Sequence, residues 1–112
     1  MALVSTDWEV LASDFEPTDL NLFENGGAEQ DPDQWWNAIR TASKRLIDLQ
    51  VVPSNDIIAI SCTAQWSGTV AVDKTGKHLA NAIIWMDSRG ATSIKRIVDG
   101  IIKIEGYAAH KL

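Results

Sequence analysis

The sequence predicts a fold of the α/β class, because strand-like apolar stretches alternate along the chain with helical stretches that carry one apolar face. The clearest predicted strand is the short run of residues 57–62, which is rich in β-branched side chains and almost wholly apolar. Such a run is typical of a central strand that is covered on both faces. Two stretches with helical spacing, one beginning at Asp31 and one around Ile94, lie before and after it.

Length and composition are those of one soluble globular domain. The chain has 112 residues, of which 46% are hydrophobic and 22% charged, so it has enough apolar surface to offset the entropy lost on folding. The formal net charge of -5 argues against nucleic acid and anionic membranes as partners, because both require clustered lysine and arginine. No apolar run approaches the roughly 20 residues that a membrane span requires. A small or neutral partner fits this composition better.

Cysteine usage is compatible with a reducing cytoplasm, where we expect the protein. Cys62 is the only cysteine, so no disulfide forms within the chain and no C-x-x-C metal site exists. Because Cys62 directly follows the apolar residues of the predicted strand, we expect a buried, inert thiol.

The first half of the chain predicts a hairpin, a long connection and a helix. Residues 2–13 alternate as two short strands around a polar turn, and residues 14–30 show no sustained period. Asp31 is a helix cap, Pro32 suits the first helical position, and Gln34 completes a variant of the capping box. The apolar face of this helix consists of Trp35, Ile39, Ala42, Leu46 and Leu49, with Lys44 and Arg45 near its negative end.

The second half predicts more strands and a second helix. Residues 70–79 are typical of a hairpin in which Gly76 takes the positive φ value of the turn. Residues 82–85 are suited to a further strand. Helical spacing then joins Ile94, Ile97, Val98, Ile101 and Ile102, with Gly106 as a natural stop.

Residue chemistry alone assigns no catalytic residue, because the usual pairs of nucleophile and base cannot be assembled with convincing spacing. His78 falls in a predicted polar turn, where a solvated side chain is expected, and His110 lies near the chain end. Gly26 and Gly27 lack a preceding strand and a following lysine, so they predict a turn and not a phosphate-binding loop. Acidic side chains gather where the first helix begins, and the helix dipole explains them without catalysis: Glu29, Asp31 and Asp33.

Two polar segments, residues 63–68 and residues 85–89, follow predicted strands. Ligands of open α/β sheets bind beyond the carboxyl ends of strands, and a polyol needs hydrogen-bonding groups beside a flat apolar wall. An amide, a hydroxyl, an indole and a carboxylate gathered there are suited to that task. The alternative is structural: Trp66 and Trp85 are core aromatics, and Asp87 and Arg89 form a local ion pair that caps the next helix.

Four segments together resemble the FGGY carbohydrate kinases, especially the xylulose kinase branch. Residues 29–36 resemble the family's E-Q-D-P-x-x-W-W helix start, and residues 58–68 its A-I-x-x-x-x-Q-x-x-G strand and loop. Residues 70–76 are similar to its L-D-x-x-G hairpin, and residues 82–89 to its A-I-x-W-x-D-x-R segment. The four occur in the family's order and cover almost the whole chain.

The resemblance implies a ribonuclease H-like fold of the actin-like ATPase superfamily, with a mixed sheet and flanking helices. Two domains of such a kinase close over ATP, Mg²⁺ and a sugar or polyol, and the γ-phosphate passes in line to a hydroxyl group. By matching positions, the residues expected to line the sugar pocket are Gln65, Trp66, Ser67, Trp85 and Asp87. The pair Trp66-Ser67 departs from the Met-His of xylulose kinases and the Arg-Glu of glycerol kinases, which leaves the substrate open.

The same resemblance identifies residues 1–112 as part of the first domain of such a kinase. The family's first strand with its D-x-G-T phosphate loop, its catalytic aspartate and its second domain have no counterpart in these residues. No residue is therefore assigned to ATP or Mg²⁺, and we expect the chain to be inactive alone. A second hypothesis is a non-catalytic module that keeps the sugar-side loop and binds a ligand, or pairs with another copy of itself or the missing kinase portion through an open sheet edge. A third is a truncated gene product with no present function.

Overall fold

The computed structural model describes residues 1–98 and the short strands β6 (Lys103–Ile104) and β7 (Tyr107–Ala108), which pair with each other antiparallel. The predicted positions Ile101, Ile102 and Gly106 lie outside the described residues.

The N-terminal hairpin forms as predicted. β1 (Ala2–Val4) and β2 (Val10–Ser13) pair antiparallel, with Ala2 opposite Ser13. The hydroxyl oxygen of Ser5 accepts hydrogen bonds from the backbone N–H groups of Asp7 and Glu9, at 3.2 and 3.1 Å, and so stabilises the turn between the strands.

Residues 14–30 are not the unstructured connection that their lack of periodicity predicted. They contain β3 (Asn21–Leu22) and β4 (Ala28–Gln30), which pair antiparallel around a turn. Gly26 makes the turn with φ of 84°, a value that glycine adopts without steric cost. The strands are two and three residues long, too short for an alternating pattern to be recognised in the sequence.

β4 is the middle strand of a three-stranded sheet. Its second neighbour is β5 (Ala82–Ile83), with Glu29 opposite Ile83 and Gln30 opposite Ala82. The prediction of a strand over residues 82–85 is therefore confirmed for its first two residues. On the far side of β5, Thr69 and Ile83 exchange backbone hydrogen bonds of 2.8 and 2.9 Å, so Thr69 joins the edge of the same sheet.

Helix α1 (Pro32–Asp48) begins where the sequence predicted. Oδ1 of Asp31 accepts a hydrogen bond of 2.9 Å from the N–H of Asp33, and Pro32 occupies the first turn. The reciprocal half of the capping box was predicted wrongly, because the side chain of Gln34 bonds to Asp19 and does not turn back to Asp31. Ala42 and Leu46 are buried on the predicted apolar face.

The predicted central strand at residues 57–62 does not form. A short 3-10 helix, Ser54–Asp56, precedes a stretch without regular secondary structure, and the side chains of Ile58 and Ile60 are 82% and 90% exposed. A strand that is apolar on both faces requires neighbours on its edges and layers over its faces, and no strand within residues 1–98 pairs with it. The expectation of a buried Cys62 is wrong for the same reason, since its side chain is exposed.

The predicted hairpin at residues 70–79 is present as a turn with one isolated bridge, between Val72 and His78. Gly76 has φ of 86°, as expected, and Oδ1 of Asp73 accepts hydrogen bonds from the backbone of Thr75 and Lys77. The second helix, α2 (Ala91–Val98), confirms the helical spacing around Ile94.

The described residues thus form a small α/β arrangement, as the sequence predicted. All of its strand pairs are antiparallel, so the described strands do not form the mixed sheet that the resemblance implied. Within the described residues the buried apolar side chains belong to α1, to β4 and to the segment of β5: Ala28, Ala42, Leu46, Ala82 and Ile84. No helix in this part of the chain combines the length and the hydropathy needed to cross a membrane.

Candidate functional site

The two polar segments predicted to bind a ligand leave the sheet at the same end. The first, residues 63–68, precedes Thr69, and the second, residues 85–89, begins two residues after Ile83. Because Thr69 and Ile83 pair antiparallel, the residues before one run alongside the residues after the other. The bridge therefore brings together the points at which the two loops meet the sheet.

The first loop presents an exposed indole. The side chain of Trp66 is 85% exposed, so this tryptophan is not a core residue. Ser67 has φ of 55°, a left-handed backbone value that is uncommon outside glycine and is often found at functional sites. The side chain of Gln65 packs over Gly68, where its Cγ and Cδ lie within ordinary contact distance of the Cβ position that glycine lacks.

The second loop is a tight turn. The N–H of Asp87 donates a 2.9 Å hydrogen bond to the carbonyl of Ile84, which closes the turn, and Trp85 at its tip is 65% exposed. Trp85 is therefore also not a core aromatic. The carboxylate of Asp87 differs sharply, because only 6% of its side chain is exposed.

The Asp87 carboxylate joins the turn to β4. Its Oδ2 accepts hydrogen bonds of 2.9 Å from the N–H of Ala28 and 2.8 Å from Nε of Arg89, and Nη2 of Arg89 lies 2.6 Å away. Its Oδ1 accepts a 3.0 Å hydrogen bond from the N–H of Arg89. Since a carboxylate oxygen can accept two hydrogen bonds, Oδ1 keeps one acceptor position within the described residues.

These contacts change the proton affinity of the pair. The hydrogen bond from Arg89, followed by that from Ala28, lowers the pKa of Asp87 from 3.8 to about 2. The same contact with Asp87, together with one to Glu29, raises the pKa of the Arg89 guanidinium. Both groups are charged over the whole physiological range.

The sequence correctly suggested an Asp87–Arg89 ion pair, but not its role. The carboxylate binds the backbone of Ala28, 59 residues earlier, and not the start of α2. Nη2 of Arg89 also donates a 2.7 Å hydrogen bond to Oε1 of Glu29, and Nδ2 of Asn81 donates one of 3.2 Å to Oε2 of Glu29. Glu29 is therefore held by these partners and not by the helix dipole. The signal for this contact in the sequence was the opposite charge of Glu29 and Arg89, which lie in two of the motifs that resemble the family.

Two glycines allow this close approach. A Cβ on Gly26 would overlap the hydroxyl of Ser88, and one on Gly27 would lie 3.0 Å from Nε of Arg89. The guanidinium carbon of Arg89 is also 5.9 Å from the centroid of the Phe23 ring, within the range of a cation–π contact. Ser88 and Arg89 thus pack directly against the turn between β3 and β4.

A second cluster surrounds Gln30, at the other end of β4. Nε2 of Gln65 donates a 3.3 Å hydrogen bond to Oε1 of Gln30, reaching across β5. Nε2 of Gln30 donates to Oγ1 of Thr18 at 3.2 Å and to the carbonyl oxygen of Asp19 at 3.1 Å. The sequence predicted Gln65 as a site residue but missed all three of these partners.

The structure does not bring Gln65 and Asp87 into contact. Asp87 bonds to Ala28 and Gln65 to Gln30, which are two residues apart in the strand, roughly 7 Å. Successive residues of a strand face opposite sides, so Glu29 and Gln30 leave β4 in opposite directions. The ion-pair cluster of Glu29, Asp87 and Arg89 and the amide pair of Gln30 and Gln65 are therefore built on opposite faces of one strand.

His78 is not the freely solvated side chain that its turn predicted. Its Nε2 lies 3.2 Å from Oδ2 of Asp33, and that contact raises the pKa of the imidazole above 6.5. Asp31, Asp33 and His78 hold ligand-type atoms within 4.8 Å of one another. The carboxylate of Asp31 already caps α1, and the positive end of a helix disfavours a cation. We therefore assign no metal to these residues.

The family is established by comparison with known proteins. Residues 1–109 match the model of the N-terminal domain of the FGGY family of carbohydrate kinases. This chain belongs to that family. The resemblance found in the four sequence motifs is thereby confirmed.

The relatives compared with this chain are named xylulose kinases and glycerol kinases. The chain is 34% identical over 82 residues to a xylulose kinase of Staphylococcus epidermidis, a match that covers 71% of this chain and 16% of that protein. It is 29% identical over 119 residues to the xylulose kinase of Escherichia coli K12, covering 98% of this chain and 24% of the relative. A glycerol kinase of Rhizobium meliloti is 38% identical over 69 residues, covering 61% and 14%. The chain thus spans less than a quarter of the length of these relatives.

The Asp87–Arg89 contact predicts a specific acid titration. In the intact chain, the side-chain carboxyl resonance of Asp87 is expected to titrate with a pKa of about 2, and Arg89→Gln is expected to raise that value towards 3.8, because the largest cause of the shift is removed. A folded-state pKa below the unfolded one stabilises the fold above the unfolded value. This contribution is therefore lost as the pH falls from about 4 through about 2.

The measurement is carboxyl carbon NMR across this pH range. Arg40→Gln is the matched control, since it removes the same charge from an arginine that pairs with no carboxylate in the described part of the chain. An unchanged Asp87 titration in Arg89→Gln would show that the ion pair does not set the carboxylate's proton affinity.

Proposed function

We propose that this chain forms the sugar-side part of the first domain of a carbohydrate kinase, which phosphorylates a hydroxyl group of a sugar or polyol with ATP and Mg²⁺. One observation carries the proposal: two exposed indoles, Trp66 and Trp85, stand on adjacent loops beside hydrogen-bonding groups in a chain of this family. Exposed tryptophans are costly to leave in water, and a carbohydrate-binding surface explains both of them.

The chemistry of the two loops suits a polyhydroxylated ligand. Such a molecule offers hydroxyl groups that both donate and accept, and C–H faces that pack on aromatic rings. Trp66 and Trp85 supply the flat apolar surface in this proposal. Gln65 and Ser67 supply the hydrogen-bonding groups, and Asp87 holds the Trp85 turn in place through its hydrogen bond from Ala28.

Nucleotide binding is proposed for the whole kinase and not for the described residues. The turn at Gly26 and Gly27 is filled by Ser88 and Arg89 and lies beside the carboxylates of Glu29 and Asp87. These surroundings do not fit a triphosphate. ATP and Mg²⁺ would have to be held elsewhere in the kinase, together with the general base.

The wider architecture follows from the family. We infer a ribonuclease H-like fold of the actin-like ATPase superfamily for the complete domain, of which residues 1–112 are one part. In that arrangement residues 57–62 would be a covered strand, which explains why their composition is that of a buried one. Xylulose and glycerol are the substrates named for the relatives, and we place the substrate of this chain among pentuloses and short polyols. A cytoplasmic location agrees with the exposed thiol of Cys62.

The binding proposal predicts a pattern among the five tryptophans. When xylulose, ribulose or glycerol is titrated into the chain labelled with ¹⁵N, the indole signals of Trp66 and Trp85 and the side-chain amide of Gln65 are expected to shift in a saturable way. Trp8 and Trp36 are the internal controls, because they are also exposed but lie outside the two loops. Equal shifts at all exposed tryptophans, or none, would contradict a polyol site.

The same titration tests a second function. The exposed apolar residues 57–62 favour a non-catalytic module that pairs with another chain. That alternative predicts that the signals of residues 57–62 change with protein concentration and that those of Trp66 and Trp85 do not respond to polyols.

Because nucleotide binding is assigned to other parts of the kinase, we expect the chain alone to have no kinase activity. Residues 1–112 incubated with ATP, Mg²⁺ and a panel of pentuloses and polyols are expected to form no sugar phosphate above background, because positioned phosphates, metal and base supply most of the rate of phosphoryl transfer. A coupled assay of ADP release measures this. Sustained turnover would overturn the assignment of nucleotide binding to other parts of the kinase.

A further inference from the structure

We propose that Gln30, Asp19 and Gln34 are positioning residues that fix the side-chain amide of Gln65 in one orientation, with its carbonyl oxygen Oε1 turned to the ligand. The inference rests on the proposed sugar site, since it assigns a role to Gln65 there. It adds a specificity rule that the family resemblance does not contain: the ligand must offer a hydroxyl group that donates a hydrogen bond to Oε1.

At the start of helix α1, the types of donor and acceptor fix the orientation of the Gln34 amide. The backbone N–H of Asp19 can only donate, and it faces Oε1 of Gln34 at 2.9 Å. The carboxylate of Asp19 can only accept, and its Oδ2 faces Nε2 of Gln34 at 2.9 Å. These two hydrogen bonds hold the segment of Asp19 against the first turn of α1.

Asp19 in turn fixes the amide of Gln30. The carbonyl oxygen of Asp19 is an acceptor, so the Gln30 atom that lies 3.1 Å from it must be the donor Nε2. Oγ1 of Thr18 is a second acceptor for the same NH₂ group, at 3.2 Å. A flipped Gln30 would place two oxygens against each other at the Asp19 carbonyl, which costs the free energy of an unsatisfied contact. Oε1 of Gln30 therefore faces away from Asp19.

Gln30 in turn fixes the orientation of the Gln65 amide. Oε1 of Gln30 can only accept, so the atom of Gln65 that lies 3.3 Å from it is Nε2. Within residues 1–98, no hydrogen bond is donated to Oε1 of Gln65, and the amide packs over Gly68. A side-chain amide that would otherwise flip freely is thus presented with its acceptor outward.

The consequence is selectivity between hydroxyl groups and groups that cannot donate. A sugar hydroxyl facing Oε1 of Gln65 gains a hydrogen bond, whereas a fluorine or a methoxy oxygen at the same position meets a second acceptor. Sites built to hydrogen-bond a hydroxyl reject the analogue that lacks it more strongly than apolar pockets do. Gln30 has this effect without touching the ligand.

The test changes Gln30 and observes Gln65. Gln30→Leu removes the acceptor, so the Nε2 protons of Gln65 are expected to move to the shifts of a solvated glutamine and to exchange with water about threefold to tenfold faster, the range of one modest hydrogen bond. Asn81→Leu is the matched control, because it deletes an amide that bonds to Glu29, on the other face of β4.

A ligand arm shows whether the orientation matters for binding. The wild-type chain is expected to bind a pentulose or glycerol several-fold more tightly than its deoxyfluoro analogue, and Gln30→Leu is expected to lose most of that preference. A loss of folding would weaken both ligands equally and would not move their ratio.

The outcomes separate this inference from the function. An unchanged Gln65 amide in Gln30→Leu overturns the positioning role, whether or not polyols bind. A wild-type chain in which the amide responds as expected but no polyol binds overturns the sugar site and leaves the orientation of Gln65 established.

Discussion

The structure depends most on the contact between the Asp87 carboxylate and the backbone N–H of Ala28. It joins two segments that are 59 residues apart in the chain. The carboxylate is almost completely covered, and such a group is tolerated only with hydrogen-bond donors around it. Arg89 and Ala28 supply them. Through this contact, the turn that carries Trp85 is fixed against the strand that carries Gln30.

Neutral donors stabilise the negative charge at this contact. Asp87, Glu29 and Arg89 together carry one net negative charge, and the N–H of Ala28 and the amide of Asn81 donate hydrogen bonds to the two carboxylates. An aspartate held in this way is a poor general base, because its pKa lies near 2. The geometry therefore suits Asp87 to holding the Trp85 turn and not to the role of a base.

The sequence predicted features that are set by neighbours within a few residues, and it missed those that depend on distant ones. The cap at Asp31 and the turn at Gly76 were predicted correctly, because a side chain or a φ value decides each locally. The pairing of Glu29 with Arg89 spans 60 residues and has no local pattern. The prediction of a strand at residues 57–62 was wrong for the opposite reason. Their composition is that of a covered strand, and the described residues do not cover them. All five predicted site residues lie on the two loops, but Gln65 and Asp87 contact opposite ends of β4.

Hydrogen exchange at the backbone amide of Ala28 tests the central contact most directly. If the Asp87 carboxylate holds β4, Asp87→Ala should speed exchange of that amide by about tenfold or more, since a hydrogen bond to a charged acceptor is lost. The amide of Leu49, bonded within α1, should not change, and Asp73→Ala, which removes a similar carboxylate from another turn, should leave Ala28 protected. Equal protection of Ala28 in wild type and Asp87→Ala would contradict the account.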